Sequence, residues 1–302
     1  MLDYPAAHAV VMVVRTGSFE KAANALNVTP SAVSQRVRQL EERLGAVLVV
    51  RGSPCVATET GEWLCRHMEH VGMLESALMQ RFPLPVNSGS SSARVTINVA
   101  ANADSLETWF LNALADFSTV SDHLLDIAVD DQEHTAEWLK RGRVLAAVTS
   151  LDRPVQGCRC IPLGALHYCA TASPAFMERY FREGVTPETL AHAPALAFNR
   201  KDNLQAQWIR QVLGQDVILH NHWLPSTHGF VTASLLGLGW GMNPIQLVRD
   251  HLAAGRLVEM LPDSPLLVPL FWQVSRLADD SIAPLTLAII RAAKANLRPR
   301  QI

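Results

Sequence analysis

One stretch constrains this chain more than any other: Ser18 to Gly45, SFEKAANALNVTPSAVSQRVRQLEERLG. It reads as two short helices joined by a tight turn. Ser18 suits the N-cap of the first, Phe19 to Leu26, and Asn27 suits a left-handed stop after it. Thr29 is a good N-cap for the second helix, and Pro30 fits its first position. From there Val33, Val37, Leu40 and Leu44 recur at spacings of four, three and four, which is one apolar stripe. Ser31, Ser34, Gln35 and Arg38 fall on another face, Arg36 adjoins them, and Ser18, Thr29 and Pro30 at the two helix starts join the candidate DNA contacts. Such side chains reach base edges or phosphates: glutamine pairs with adenine and arginine with guanine. A merely solvated face would also be polar. Here, however, no acidic residue lies between Thr29 and Leu40, while Glu41 and Glu42 follow at once. The pattern predicts a helix that enters a DNA groove.

The flanking sequence completes a domain. Pro5 to Arg15 reads as a helix closed by Thr16-Gly17. Val47 to Arg51, the turn Gly52-Ser53-Pro54 and the return Val56 to Thr58 read as a small hairpin. Arg51 and Ser53 are placed to touch the flanking DNA backbone or minor groove. Three helices and a wing within residues 1–58 predict a winged helix-turn-helix. Residues 59–82 read as a linker helix. Its narrow stripe of Leu64, Met68, Val71, Leu74 and Leu78 suits a partner helix. A second copy, as a dimer or a dimer of dimers, would then supply the second half-site on double-stranded promoter DNA. Residues 83–93, with PLPVNSGSSS, read as a flexible hinge.

Beyond it, strands and helices alternate. Strands are predicted at Arg94–Ala100, Leu124–Asp130, Val144–Thr149 and, in a second series, from Leu166–Ala172 onward; the first helix is Ser105–Phe117. Repeated βα units predict parallel sheets with helices on both faces. Two series predict two lobes, 94–162 with 269–302 and 163–268. The fold class is therefore α+β and multi-domain: a winged helix-turn-helix and linker helix, then two α/β lobes.

Composition sets limits on function. The net charge is −2 and the pI near 6.6, so DNA binding must come from a local patch rather than a basic coat. Five cysteines, at 55, 65, 158, 160 and 169, form no paired framework, so a reducing cytoplasm is expected. The run Ala6 to Val14 is too short to span a bilayer and lacks a signal peptide's flanks, so no membrane partner is expected.

The motif A-A-x-x-L-x-V-T-P-S-A-V-S-Q-R-V, followed by L-E-x-x-L-G, resembles the DNA-binding domain of the LysR-type transcriptional regulators. The resemblance covers the whole chain. Val99-Ala-Ala-Asn102-Ala103-Asp104-Ser105-Leu106-x-Thr-Trp109 is similar to the ArgP/LysG branch, also called IciA. So are Leu163-Gly-Ala-Leu166-x-Tyr168 and Arg179-Tyr-Phe181-x-x-Gly184-Val-Thr186. It implies an effector domain of periplasmic-binding-protein type and a regulator of amino acid export or metabolism. L-lysine or L-arginine would be the effector, with no other cofactor. RNA polymerase is a further partner that such a regulator leaves room for. A ligand-independent replication-origin or architectural DNA-binding protein is the alternative, a role proposed for relatives.

A basic amino acid needs a carboxylate site and acidic groups for its cations. Ser105, at the end of the first predicted strand, and Ser226 and Thr227, at a later helix start, suit the carboxylate. Both serines also read as plain caps. Asp104, Asp130 and Asp131 suit the ammonium groups. Asn102, Thr149, Phe198 and Asp202 complete the candidate effector set. His220, His222 and His228 lack the context of a metal site, Cys158-x-Cys160 reads as inert thiols, and no catalytic motif is present. An enzyme is not expected.

Overall fold

The computed structural model describes residues 1–79, 95–130 and 135–299. They divide into two compact units, Met1–Thr96 and Ile97–Ile302. The hinge expected at 83–93, and Asp131, lie outside the described residues.

The first unit contains α1 (Tyr4–Thr16), α2 (Phe19–Ala25), α3 (Pro30–Leu44), β1 (Val49–Val50), β2 (Val56–Ala57) and α4 (Glu59–Met79). Local chemistry sets the boundaries. Asp3 accepts the Ala6 N–H at 3.1 Å and Thr29 the Ala32 N–H at 3.3 Å. Asn27 (φ 53°) and Gly45 (φ 66°) provide left-handed stops. Ala22 and Ala23 are small enough to bring α2 close to its neighbours. Both are buried with Val10, Val13, Val33, Val37, Leu40 and Leu48. Leu44 departs from expectation: it is exposed, because the last turn of α3 runs past this core.

The wing is tied down by polar groups. A Glu41 carboxylate oxygen accepts from the N–H groups of Leu48 (2.8 Å) and Val49 (3.2 Å). The Thr58 hydroxyl donates to the Val47 carbonyl at 2.6 Å and accepts the Gly61 N–H at 3.0 Å, so it also caps α4. The stripe read along α4 does not act as one seam. Leu64 is buried in its own domain and Met68 packs beside it, while Leu74 and Leu78 are exposed.

The second unit opens with β3 (Thr96–Asn102), α5 (Ala103–Ser105), a π-helical segment (Leu106–Phe110) and α6 (Leu111–Ser118). It continues with β4 (Leu124–Asp130), α7 (Thr135–Lys140), β5 (Ala146–Thr149), β6 (Cys158–Ala172), α8 (Pro174–Tyr180), α9 (Pro187–His192) and β7 (Ala195–Ala197). Then come α10 (Leu204–Leu213), β8 (Asn221–Trp223), α11 (Thr227–Leu235), β9 (Gly241–Pro244) and α12 (Ile245–Ala253). The last elements are β10 (Val258–Glu259), β11 (Leu266–Ser275) and α13 (Ala283–Asn296). The main sheet runs β10-β6-β11-β5-β3-β4, with β9 also on β6; β7 and β8 form a second sheet.

β3–β5 and β7–β8 are parallel. The expectation of purely parallel sheets is corrected: β6 pairs antiparallel with β11, β9 and β10, and β11 with β5. Two long strands cause this. β6 begins at Cys158 rather than Leu166, and its Cys158–Tyr168 portion pairs with the whole of β11. Gly164, at φ 127°, allows the close approach of the chain end. A Cβ there would lie 2.7 Å from the Arg298 carbonyl oxygen. The helix expected at Ser105–Phe117 is broken by the π-helical turn, and α9 is too short to show a period. No described helix is long and apolar enough to cross a membrane.

His167, on β6, sits 3.4 Å from the Cys169 sulfur. Burial, then the charges of Arg298 and Arg249, lowers its pKa below the usual 6.5. The unfolded chain therefore binds this proton more readily than the folded unit. Its stability is unaffected well above pH 6.5 and falls as the pH drops through 6.5 toward the folded pKa. Urea unfolding at pH 7.5 and 5.5 should show a smaller acid loss in His167→Gln than in the wild type. Equal losses would remove His167 as a contributor.

Candidate functional site

The polar face of α3 is presented to solvent. Ser31, Gln35 and Arg38 are exposed, Ser34 and Arg36 half-buried, and Thr29 and Pro30 exposed at the helix start. Two candidates also have structural tasks. Thr29 caps α3, and Ser18 caps α2 while donating to Glu20 at 3.1 Å. Arg38 Nε lies 2.8 Å from Glu42 Oε1, an exposed pair one turn apart. The Arg51 guanidinium stands 5.1 Å over the Phe19 ring, which holds the base of the wing beside α2. Ser53 is exposed at the wing turn.

In the second unit a cleft of about 440 Å³, counting its open mouth, is lined by Asn102, Ala103, Asp104, Asp130, Phe198, Asp202, Leu204, Thr227, Phe230, Met242, Asn243 and Pro244. Three of these are carboxylates, and none is basic. Asp104 follows β3 directly. Its carboxylate accepts the Tyr168 hydroxyl at 2.6 Å and the Thr227 hydroxyl at 2.7 Å, which clasps the start of α5 to β6 and α11. Asp202 accepts the N–H groups of Phe198 (2.8 Å) and Leu204 (3.1 Å), which fixes the turn between β7 and α10. Asp130, ending β4, accepts the Trp138 indole N–H at 3.2 Å. A pocket of this charge receives a cation and repels an anion.

Residues 6–62 match the bacterial regulatory helix-turn-helix protein, lysR family, and residues 90–298 match the LysR substrate binding domain. The chain belongs to the LysR family. This regulator is 41% identical over 300 residues to the HTH-type transcriptional regulator LysG of Mycobacterium bovis, covering 99% of this chain and 96% of LysG. It is 39% identical over 299 residues to the HTH-type transcriptional regulator ArgP of Pseudomonas fluorescens, covering 99% of each. The crystal structure of ArgP from Mycobacterium tuberculosis superposes with a TM-score of 0.78 at 42% identity, covering 99% of this chain and 100% of that one. Full-length LysG from Corynebacterium glutamicum with bound effector Arg superposes with a TM-score of 0.67 at 35% identity, again over 99% and 100%. The chain is a DNA-binding transcriptional regulator, not an enzyme.

Within this LysR-family protein, the cleft gathers six of the residues singled out from sequence: Asn102, Asp104, Asp130, Phe198, Asp202 and Thr227. Three others lie elsewhere. Ser226 is exposed and caps α11 through the Gly229 N–H at 3.0 Å. Thr149 is buried, and its hydroxyl accepts the Leu151 N–H at 3.1 Å. Ser105 does not end a strand: β3 stops at Asn102, and Ser105 lies in α5, fully buried, with no partner for its hydroxyl among the described residues. Sequence reasoning did not single out Ala103, Leu204, Phe230, Met242, Asn243 and Pro244. The five apolar ones carried no signal of their own. Asn243 does carry one: it is a polar amide within the fully buried strand β9, and it donates to the Thr171 hydroxyl at 2.9 Å.

Proposed function

We propose that this regulator senses a basic amino acid, L-lysine or L-arginine, in the cleft around Asp104 and thereby controls genes for amino acid export or metabolism. The three carboxylates in the cleft's lining, which contains no basic residue, carry the reading. The Arg bound as effector in the related LysG supports it. A formed acidic cleft also favours ligand control over a ligand-independent architectural role. Effector binding shifts the regulator only by its differential affinity for two conformations.

On DNA, Ser31, Ser34, Gln35, Arg36 and Arg38 meet bases or phosphates, and Arg51 and Ser53 meet the flanking backbone. Two copies join through the distal half of α4, where Leu74 and Leu78 are exposed. Paired half-sites then lie ~34 Å apart or a multiple of that. Footprinting upstream of neighbouring genes, with and without lysine and arginine, tests the whole reading. Footprints that ignore both amino acids would refute effector control.

Arg38 offers a sharper test, because Glu42 competes with DNA for its guanidinium. If a dimer neutralises roughly six to eight phosphates, log affinity falls against log salt with a slope of about −6. Arg38→Ala should weaken promoter binding and flatten that slope by about 1 for each phosphate no longer neutralised. Glu42→Gln should tighten binding several-fold at low salt, and a weaker complex would show that the ion pair positions Arg38 instead.

A further inference from the structure

The wing cannot set its own direction. β1 and β2 are two residues each and pair at Val49↔Ala57 and Val50↔Val56. So short a ladder is marginal by itself, and its pose against α3 has to come from outside it. The Glu41 side chain supplies a tie to the recognition helix. Its Oε1 receives the N–H groups of Leu48 and Val49, where the chain enters β1. Its backbone carbonyl receives those of Gly45 and Ala46, which close α3. One residue thus fixes both the end of the recognition helix and the root of the wing. Further out, the Cys55 N–H donates to the Gly17 carbonyl at 2.8 Å and Arg51 stands over Phe19, so the tip is tied to the start of α2. Leu48 and Val49 are both buried. Without Glu41 their N–H groups either stay unpaired or reach water by moving the root outward.

We infer that Glu41 is the positioning residue of the wing: it sets the spacing between the recognition helix in the groove and Arg51 and Ser53 on the flanking backbone. This rests on the reading that Arg51 and Ser53 meet that backbone. Electrostatics alone gives Glu41 the opposite role. It is a half-buried carboxylate in a DNA-binding domain, and it repels phosphates. A bystander at this position would therefore tighten the complex when its charge was removed. A positioning residue weakens the complex when removed, because the wing loses its phosphates. The two accounts differ in sign, and the repulsion is the smaller effect because salt screens it. Reach and charge also separate cleanly. Aspartate keeps the charge but is one methylene short of the Leu48 and Val49 N–H groups. Glutamine keeps the reach and a side-chain oxygen but not the charge.

The test is titration of the full chain against the DNA upstream of the neighbouring genes, over a salt series, with hydroxyl-radical footprints of each complex. Glu41→Ala should bind roughly tenfold more weakly, the scale of one lost charge-assisted hydrogen bond. It should lose the flanking protection and keep that of the groove. Its slope of log affinity against log salt should flatten by about 1 for each wing phosphate no longer neutralised, as in Arg51→Ala. Adding Arg51→Ala to Glu41→Ala should flatten it no further. Glu41→Asp should behave like Glu41→Ala, and it carries the test alone if the alanine variant does not fold. Glu41→Gln should keep the wild-type slope and the flanking protection. Alanine and aspartate variants that bind as tightly as the wild type, or more weakly with slope and flanking protection intact, overturn the inference. So does a glutamine variant that loses both. If Arg51→Ala itself changes neither slope nor footprint, the wing reading falls and this inference with it.

Discussion

Gly61→Ala should lower the stability of the Met1–Thr96 unit by about 3 kcal/mol or more, the upper range for an overpacked site. For a domain of this size that is a fall in Tm of roughly 10 °C or more. A Cβ at Gly61 would stand 2.0 Å from the Leu48 carbonyl oxygen and 3.3 Å from the Ala57 Cβ. The first of these is backbone and cannot rotate away. It is also held in place: the Leu48 carbonyl accepts the Thr58 N–H at 3.0 Å, and the Leu48 N–H is bonded to Glu41. Relief would require the wing to leave α4 and lose its link to α3. DNA affinity should therefore fall with stability. Intrinsic helix propensity points the other way, since alanine is favoured over glycine by about 1 kcal/mol within a helix. The sign of the change thus tells which effect dominates. Gly72 is the control on the same helix, because nothing lies within 4 Å of a Cβ built there. Gly72→Ala should be neutral or stabilising by up to ~1 kcal/mol. A Gly61→Ala protein that melts at or above the wild type would refute the close packing of α4 on the wing.

Asp104 carries the second large effect. Its carboxylate is the acceptor for both Tyr168 and Thr227, and both of those residues are buried. Asp104→Ala leaves two buried hydroxyls without their acceptor, at about 2–4 kcal/mol of stability in the second unit. Tyr168→Phe removes the hydroxyl that donates to Asp104 and should cost about 1–2 kcal/mol. Asp104→Asn separates charge from shape. It keeps an oxygen for one hydroxyl and removes the negative charge from the cleft. Arginine should then bind roughly tenfold to a hundredfold more weakly while the protein stays folded. Unchanged arginine affinity in Asp104→Asn would take Asp104 out of the ligand's surroundings and leave it only as a clasp.

What could be read from sequence follows the range of the forces involved. The recognition helix was readable because its start, stop and buried face are local. Thr29 caps it, Gly45 ends it, and Val33, Val37 and Leu40 recur at one period. Leu44 belongs to the same period yet is exposed, and Leu64 and Leu74 share a stripe yet face different surroundings. Periodicity shows that a face is apolar, not what lies against it. Strand direction is hidden for the same reason. β6 and β11 are as apolar as parallel strands, and only their pairing shows that they run antiparallel. In the cleft, Asp104 stood out through the residues around it. Thr227 enters the same hydrogen-bond cluster from 123 positions away.

By itself the sequence determined the two kinds of domain, the reading helix with its polar face, and the residues able to hold a cation. Caps, periods and residue chemistry act over a few neighbours, so they are written locally. Only the tertiary structure decided that Asp104 is clasped by Tyr168 and Thr227 and that Ser226 caps its helix rather than lining the cleft. Those facts depend on which distant segments are brought together by packing, and no short stretch of chain encodes that alone.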